Sequence, residues 1–584
     1  LHLSLRRQRQ MCIRDSLRSD ILVFVEEKLI YHFLRFKGEI MVKLLDDYLI
    51  KGEEFKKAKI KIPNFNQDKV IKSTADNPVW VHFGGGNLFR CFHAVVAQDL
   101  LNQGELNSGL IVAETYDDEV IDKIYRAYNN RFLSVTMKTD GTFDKELIAS
   151  VAESFYFNAE NTEGWAHLTK VFENPSLQLT TFSITEKGYS LRDSKDQLTP
   201  LALEDMQGRS KPKTNMGAVT YLLYARFKAG KFPIAMVSTD NFSENGLKLQ
   251  EAILTIAKAW VENEIVEQDF YDYLINPKKV SFPWSMIDRI TPNPSEKVAK
   301  LLTADGFEDT EILHSQKHTN IAPFGNTEEV HYLVIEDTFP NGRPALEKAG
   351  VILTDRETVN DADQMKVTAC LNPLHTALAI FGSLLDYHSI WEEVANPDLL
   401  ALIKNLGYGE ALPVVKNPKI INPKDFIDQL LTKRLPNKNI PDKPQRIAAD
   451  TSQKIPVRYG VTIGHYIANP RFSVKELEFI PLVIAAWCRY LIGINDELES
   501  FSPSPDPLLE ELQAFVAEVK LDGSQQEIHE ILKPILSNHQ IFPNEMYQTG
   551  LAQKIENYFE QMLQGKGAVL KTLQNVLKEH GKNY

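Results

Sequence analysis

The chain has 584 residues, with 65 Lys and Arg against 78 Asp and Glu, a net charge of −13, 43% hydrophobic and 24% charged residues. That balance belongs to a globular protein with a buried core, and it excludes collagen-like, disordered and disulfide-stapled classes. The negative field disfavours nucleic acid and anionic lipid, so a small molecule is the expected partner.

The first forty residues read unlike the rest. Arg6 to Ser16, RRQRQMCIRDS, resembles a translated sequencing-adapter peptide, and Lys37-Gly38-Glu39-Ile40-Met41 can be encoded by a purine-rich ribosome-binding sequence followed by a start codon. Residues 1–40 are therefore expected to be a non-native leader with Met41 as the start; the alternative is a genuine basic arm. Without them the net charge falls to −16. The apolar run Ile21 to Val25 is too short for the core of a signal peptide, and no stretch approaches the ~20 apolar residues of a membrane span, so a cytoplasmic protein is expected. Cys91, Cys370 and Cys488 lie far apart and form no CxxC pair, which indicates neither a disulfide framework nor a Cys-based metal site.

The first clear strand is Val79 to Phe83, which runs into Gly84-Gly85-Gly86. An amphipathic stretch follows, with Leu88, Phe92, Val95, Val96, Leu100 and Leu101 on one face, closed by Gly104. A second apolar run, Gly109 to Ala113, ends in Glu114 and completes a βαβ unit. Further strand-like runs at Leu177 to Ile184 and Phe232 to Ser238 predict an open parallel sheet up to about residue 280. Beyond Asp288 to Pro294 the periodicities turn helical, as at Leu374 to Leu385, Leu477 to Leu491 and Ile555 to Val576. The Pro- and Lys-rich stretch Leu412 to Pro456 reads as a long, functional connection. The expected class is α/β: an N-terminal extension and an open parallel-sheet domain over 41–290, then a mainly α-helical domain over 291–584.

Phe83, Gly84, Gly85, Gly86, Asn87 and Leu88 sit where a strand passes into a helix. A missing Cβ there lets the backbone approach a pyrophosphate, and the helix start offers unpaired N–H groups. Phe89 stands at the third glycine position of the GxGxxG pattern, which leaves an ordinary turn as the competing reading. Glu114, at the end of the next strand, is placed to accept from an adenosine ribose, favouring NAD over NADP; Asp117 competes for that role.

Lys366, Asn372 and His375 lie together in Met365-Lys-Val-Thr-Ala-Cys-Leu-Asn-Pro-Leu-His375. A desolvated lysine can serve as general base, and an amide and an imidazole can donate to a developing alkoxide, as hydride transfer at a secondary alcohol requires. The competing reading has Asn372 capping a helix, with Pro373 at its first position and His375 merely packed.

Those segments, with Thr185-Glu-Lys-Gly-Tyr189, Ser238-Thr-Asp-Asn241, Asn245-Gly246, Phe282 to Pro292 and Arg446 to Lys454, resemble the long-chain mannitol dehydrogenase family. That family includes mannitol 2-dehydrogenases, fructuronate reductases and tagaturonate reductases. The resemblance makes the domain over 41–290 a Rossmann-type domain and the helical domain over 291–584 a substrate and catalytic domain, and it implies a site between them, NAD as cofactor, and no metal. It makes Lys366 the general acid/base, Asn241 and Asn372 the holders of the substrate oxygen, and His375 their support. Asp288 would border the nicotinamide pocket, and Arg446 and Lys454 would contact distal hydroxyls or a carboxylate.

Three positions depart from the family pattern. Lys366 and Asn372 are six apart where five is common, so the helix must be bulged or restarted. Trp284 stands where Asn is usual, and Ala449 where some mannitol dehydrogenases carry a substrate-contacting His. The extra length from Met41 to Asn77 matches a longer bacterial branch associated with uronates. The expected reaction is reduction of a keto-uronate, D-fructuronate to D-mannonate, by NADH in a monomer or small homo-oligomer. Mannitol/fructose or tagaturonate chemistry are the alternatives, with an inactive NAD-binding regulator as a reading from another class.

Overall fold

The computed structural model describes residues 41–584 apart from 194, 209 and 210, so the expected leader lies outside the described residues. Six strands, β1 (Trp80–Phe83), β2 (Leu110–Glu114), β3 (Val151–Tyr156), β4 (Leu179–Phe182), β5 (Ile234–Ser238) and β6 (Val280–Ser281), form one sheet in the order β3-β2-β1-β4-β5-β6. Every pairing is parallel. This is the dinucleotide-fold order, and it places the crevice between β1 and β4, where the chain reverses direction of winding. The strands read as unbroken apolar runs because both faces are covered: Val81 and Phe83 pack into one layer, Trp80, Leu110 and Val112 into the other.

Between β1 and β2 the chain enters a helix at Asn87, makes a π turn over Phe89–His93 and continues as α1 (Ala94–Gln103). Gly104 ends α1 at φ 72°, the left-handed cap the sequence predicts there.

The strands do not stop at residue 290. Phe324–Glu328 adds in parallel to Phe132–Met137, which is itself antiparallel to Phe143–Ile148. Tyr332–Glu336 pairs with Ser285–Asp288 and with Ile352–Thr354. A helix at Glu296–Ala304 is followed by strands as far as Thr354, so the chain turns mainly helical only from Arg356, later than the expected 291; the intervening strands are two to five residues long and too short to register as a pattern. The stretch Leu412 to Pro456 is likewise corrected from a connection to structured chain, with helices at Pro423–Gln429, Pro444–Ala448 and Thr451–Ile455. Each of the first two starts on a proline, so the prolines that suggested a loop are helix starters.

The helical part is built around α2 (Arg356–Met365) and α3 (Asn372–Leu384), with Phe479–Tyr490 in the same core. Arg356–Leu384 is long and apolar enough to cross a membrane, but 83% of its apolar window is buried inside the protein, as a core helix would be.

Candidate active site

Between α2 and α3 the chain makes a π turn over Lys366–Cys370, with the Leu371 N–H donating to the Lys366 carbonyl at 3.1 Å. A π turn holds one more residue than an α turn, so the extra residue that sets Lys366 and Asn372 six apart is absorbed there. Leu371 then leaves helical geometry at φ −125°, ψ −66°, and α3 restarts at Asn372. The helix is thus both bulged and restarted. Leu371 is the capping residue and no side chain caps α3, so the Asn372 amide does not fill the capping role and lines the cavity instead.

Lys366 is 2% exposed. Its Nζ donates to Asn241 Oδ1 at 2.6 Å and to the Ile287 carbonyl at 3.0 Å, and lies 3.5 Å from Asp363 Oδ1. Two hydrogen bonds and a neighbouring carboxylate hold the ammonium, and one of its three hydrogens has no hydrogen-bond acceptor among the described residues. Asp363 also accepts from Ser243 Oγ at 2.5 Å. Sequence reasoning missed it, although a carboxylate three residues before a lysine on one helix was a readable signal.

Asn241 is positioned by the motifs around it. Its neighbour Asp240 accepts from the Ile184 and Thr185 N–H groups and from Tyr189 Oη at 2.7 Å, which ties Thr185–Tyr189 to the end of β5. Asn245 Nδ2 donates to the carbonyls of Asp240 and Ser285. A Cβ on Gly246 would lie 2.8 Å from the Phe282 carbonyl and 2.7 Å from Trp284, so only glycine lets these segments meet. The separate motifs form one scaffold that carries Asn241 to Lys366.

A cavity of about 740 Å³ opens beside this pair, lined among others by Asn241, Asp288, Asn372, His375, Arg446 and Lys454. Burial lowers the His375 imidazole to about 4, so near neutral pH it is an uncharged hydrogen-bonding group. Arg446 pairs with the buried Asp442 at 3.0 Å. Lys454 donates to the carbonyls of Ile447 and Ala449, and its ammonium is lowered to about 8 by burial and by Arg458. Arg458 donates to the Asn372 carbonyl at 3.3 Å and to Thr376 Oγ1.

Asp288 is 6% exposed and accepts from Arg434 Nη1 at 3.0 Å, while Arg434 Nε donates to Glu328 Oε2 at 2.8 Å. Burial holds the Glu328 carboxyl up at about 7. Arg434 also lines the cavity and was missed, because its segment was read as a loop.

At the cofactor end Gly84 has φ 103°, and a Cβ there would lie 2.3 Å from the Ser183 carbonyl, just past β4. A Cβ on Gly86 would meet nothing within 4 Å, an open cradle at the start of a helix that fits a pyrophosphate. Phe83 faces away, stacked on Phe182 at 4.7 Å in the core. Asn87 is taken up by Arg90 and the Pro292 carbonyl, while Leu88 packs partly buried against the core. Glu114 is 6% exposed; Oε2 accepts from the Gly85 N–H at 2.5 Å, and Oε1 accepts from the N–H groups of Thr115, Tyr116 and Asp117. Oε1 is filled by three donors, while Oε2 accepts only one and keeps a lone pair, so the carboxylate braces the glycine turn and still has an acceptor site left for a ribose hydroxyl. Asp117 accepts from Ser315 Oγ at 2.6 Å, from Thr319 and from the Glu119 N–H.

The family model of the mannitol dehydrogenase Rossmann domain matches residues 79–348, and that of the mannitol dehydrogenase C-terminal domain matches 359–563. The chain belongs to the mannitol dehydrogenase family. A D-mannonate oxidoreductase of Thermotoga maritima is 50% identical over 526 residues, covering 90% of this chain and 97% of that protein. A polyol:NADP oxidoreductase of Gluconobacter oxydans is 28% identical, covering 79% and 88%. The solved mannitol 2-dehydrogenase of Pseudomonas fluorescens, in ternary complex with NAD and D-mannitol, superposes with a TM-score of 0.66 at 25% identity, covering 89% of this chain and 97% of that one. This member of the mannitol dehydrogenase family is an NAD-dependent oxidoreductase acting on CH–OH groups.

Proposed function

We propose that the enzyme interconverts D-fructuronate and D-mannonate, with Lys366 as general acid/base and no metal ion in the step. The observation that carries the substrate class is charge at one end of the cavity: no carboxylate lies within ion-pair distance of Lys454 or Arg458 among the described residues, and Arg446 lies beside them. In an acidic protein, cations held without counterions suit an anionic substrate. The Thermotoga maritima relative supports the same assignment.

NAD, when bound, supplies the hydride acceptor, and its reduced form the donor. The glycine turn Gly84–Gly86 would hold its pyrophosphate. In reduction, the Lys366 ammonium donates a proton to the former carbonyl oxygen, and in oxidation the neutral amine takes the hydroxyl proton. The amides of Asn241 and Asn372 donate to the same oxygen as charge develops on it. Asn241 Oδ1 already accepts from Lys366, so its amide N–H₂ is left to face the cavity it lines.

The test is a panel of D-fructuronate, D-tagaturonate and D-fructose with NADH, each run with and without EDTA. D-fructuronate should be reduced with the highest kcat/KM, unaffected by the chelator. A clear preference for D-fructose would overturn the substrate, and loss of turnover in EDTA the metal-free step.

A further inference from the structure

Arg434 and Asp288 each keep one polar atom without a partner: Nη2 of the arginine and Oδ2 of the aspartate. Both atoms are buried, and both residues line the cavity. Buried polar groups are normally satisfied, so an orphaned donor and an orphaned acceptor on the two halves of one ion pair need an explanation. Charge decides what could satisfy them. One guanidinium here faces two carboxylates, Asp288 at 3.0 Å and Glu328 at 2.8 Å, so a third carboxylate would be repelled. A neutral group that accepts from Nη2 and donates to Oδ2 suits both, and a hydroxyl does each at once.

We propose that Arg434, working with Asp288, reads one hydroxyl of the substrate and is a specificity-determining residue of this enzyme. The inference rests on the aldonate reading above. The substrate carboxylate lies toward Lys454 and Arg458, and one of its hydroxyls toward Asp288 and Arg434. The rival occupant is a water: a small cavity of about 10 Å³, lined by Arg434, His375 and Asp442, has room for about one.

A cycle between protein and substrate separates the two. Wild type and Arg434→Lys, which keeps the charge and loses the fork, are assayed with NAD on D-mannonate and on its mono-deoxy analogues. In wild type, one analogue should lose far more kcat/KM than the others, because its absence strands two buried groups. Arg434→Lys should lose about tenfold or more on D-mannonate and little further on that analogue. Penalties that multiply for every analogue mean that Arg434 only supports the structure, and the proposal is overturned. NAD titration of each variant checks that it is folded; should Arg434→Lys not fold, Asp288→Asn replaces the orphaned acceptor by a donor and must show the same coupling. If wild type oxidises no D-mannonate, the substrate reading has failed, and the cycle is repeated with D-mannitol and its deoxy analogues, where coupling upholds the role of Arg434 and its absence ends it.

Discussion

The two ends of the crevice solve the burial of charge in opposite ways. At the glycine turn the carboxylates are braced by the protein itself: Glu114 takes four backbone N–H groups, and Asp117 takes two hydroxyls and an N–H. Beside the π turn of Lys366, Arg458 and Lys454 donate to carbonyls and a hydroxyl without a carboxylate partner among the described residues, and Arg434 and Asp288 hold atoms in reserve. The glycine turn is therefore braced by the protein before any ligand arrives, and damage to that bracing should be read first in stability. The substrate end withholds part of its hydrogen bonding, and damage there should be read first in turnover and KM.

Lys366→Ala gives the largest effect and the clearest way to break the contrast. Loss of a positioned general acid/base costs about 10²- to 10⁴-fold in kcat. NAD affinity, measured by fluorescence titration, should stay near that of wild type, because Lys366 touches no part of the glycine turn. A variant keeping most of its turnover would remove Lys366 from the chemistry.

Gly84→Ala tests the other end. A side chain at φ 103°, with its Cβ 2.3 Å from the Ser183 carbonyl, must displace the junction of β1 and β4, at a cost of about 2–4 kcal/mol. Thermal unfolding of the ligand-free protein should register it. An unchanged melting temperature with weakened NAD binding would show that the turn is not braced in advance and would dissolve the contrast.

How much of this was legible follows the same divide. The strand, glycine turn and helix at residues 79–104 were readable because local patterns dictate them. The bulge between Lys366 and Asn372 was readable as a need for an extra residue, and the π turn is the form it takes. Arg434 was not readable: its partners Asp288 and Glu328 are 146 and 106 residues away, and nothing local marks a residue whose role is created by a distant strand end. The bracing role of Glu114 was unreadable for a related reason, since a strand-end position does not reveal that four backbone donors converge on the carboxylate.

The smallest expected effect sharpens the substrate end. Lys454 sits lowered to about 8, first by burial, then by the Arg458 guanidinium, and with a smaller contribution from Arg446. It is cationic below that pH and neutral above it, so its attraction for a carboxylate is present at neutral pH and is lost as pH rises through about 8. The kcat/KM for D-fructuronate should carry a falling limb there, and KM should carry most of it. Lys454→Met should raise KM about 10- to 100-fold at neutral pH, the worth of a charge-assisted hydrogen bond, and should erase its share of the limb. A limb identical in wild type and Lys454→Met would assign that titration to another group and leave Arg458 as the remaining cation without a carboxylate partner at that end of the cavity.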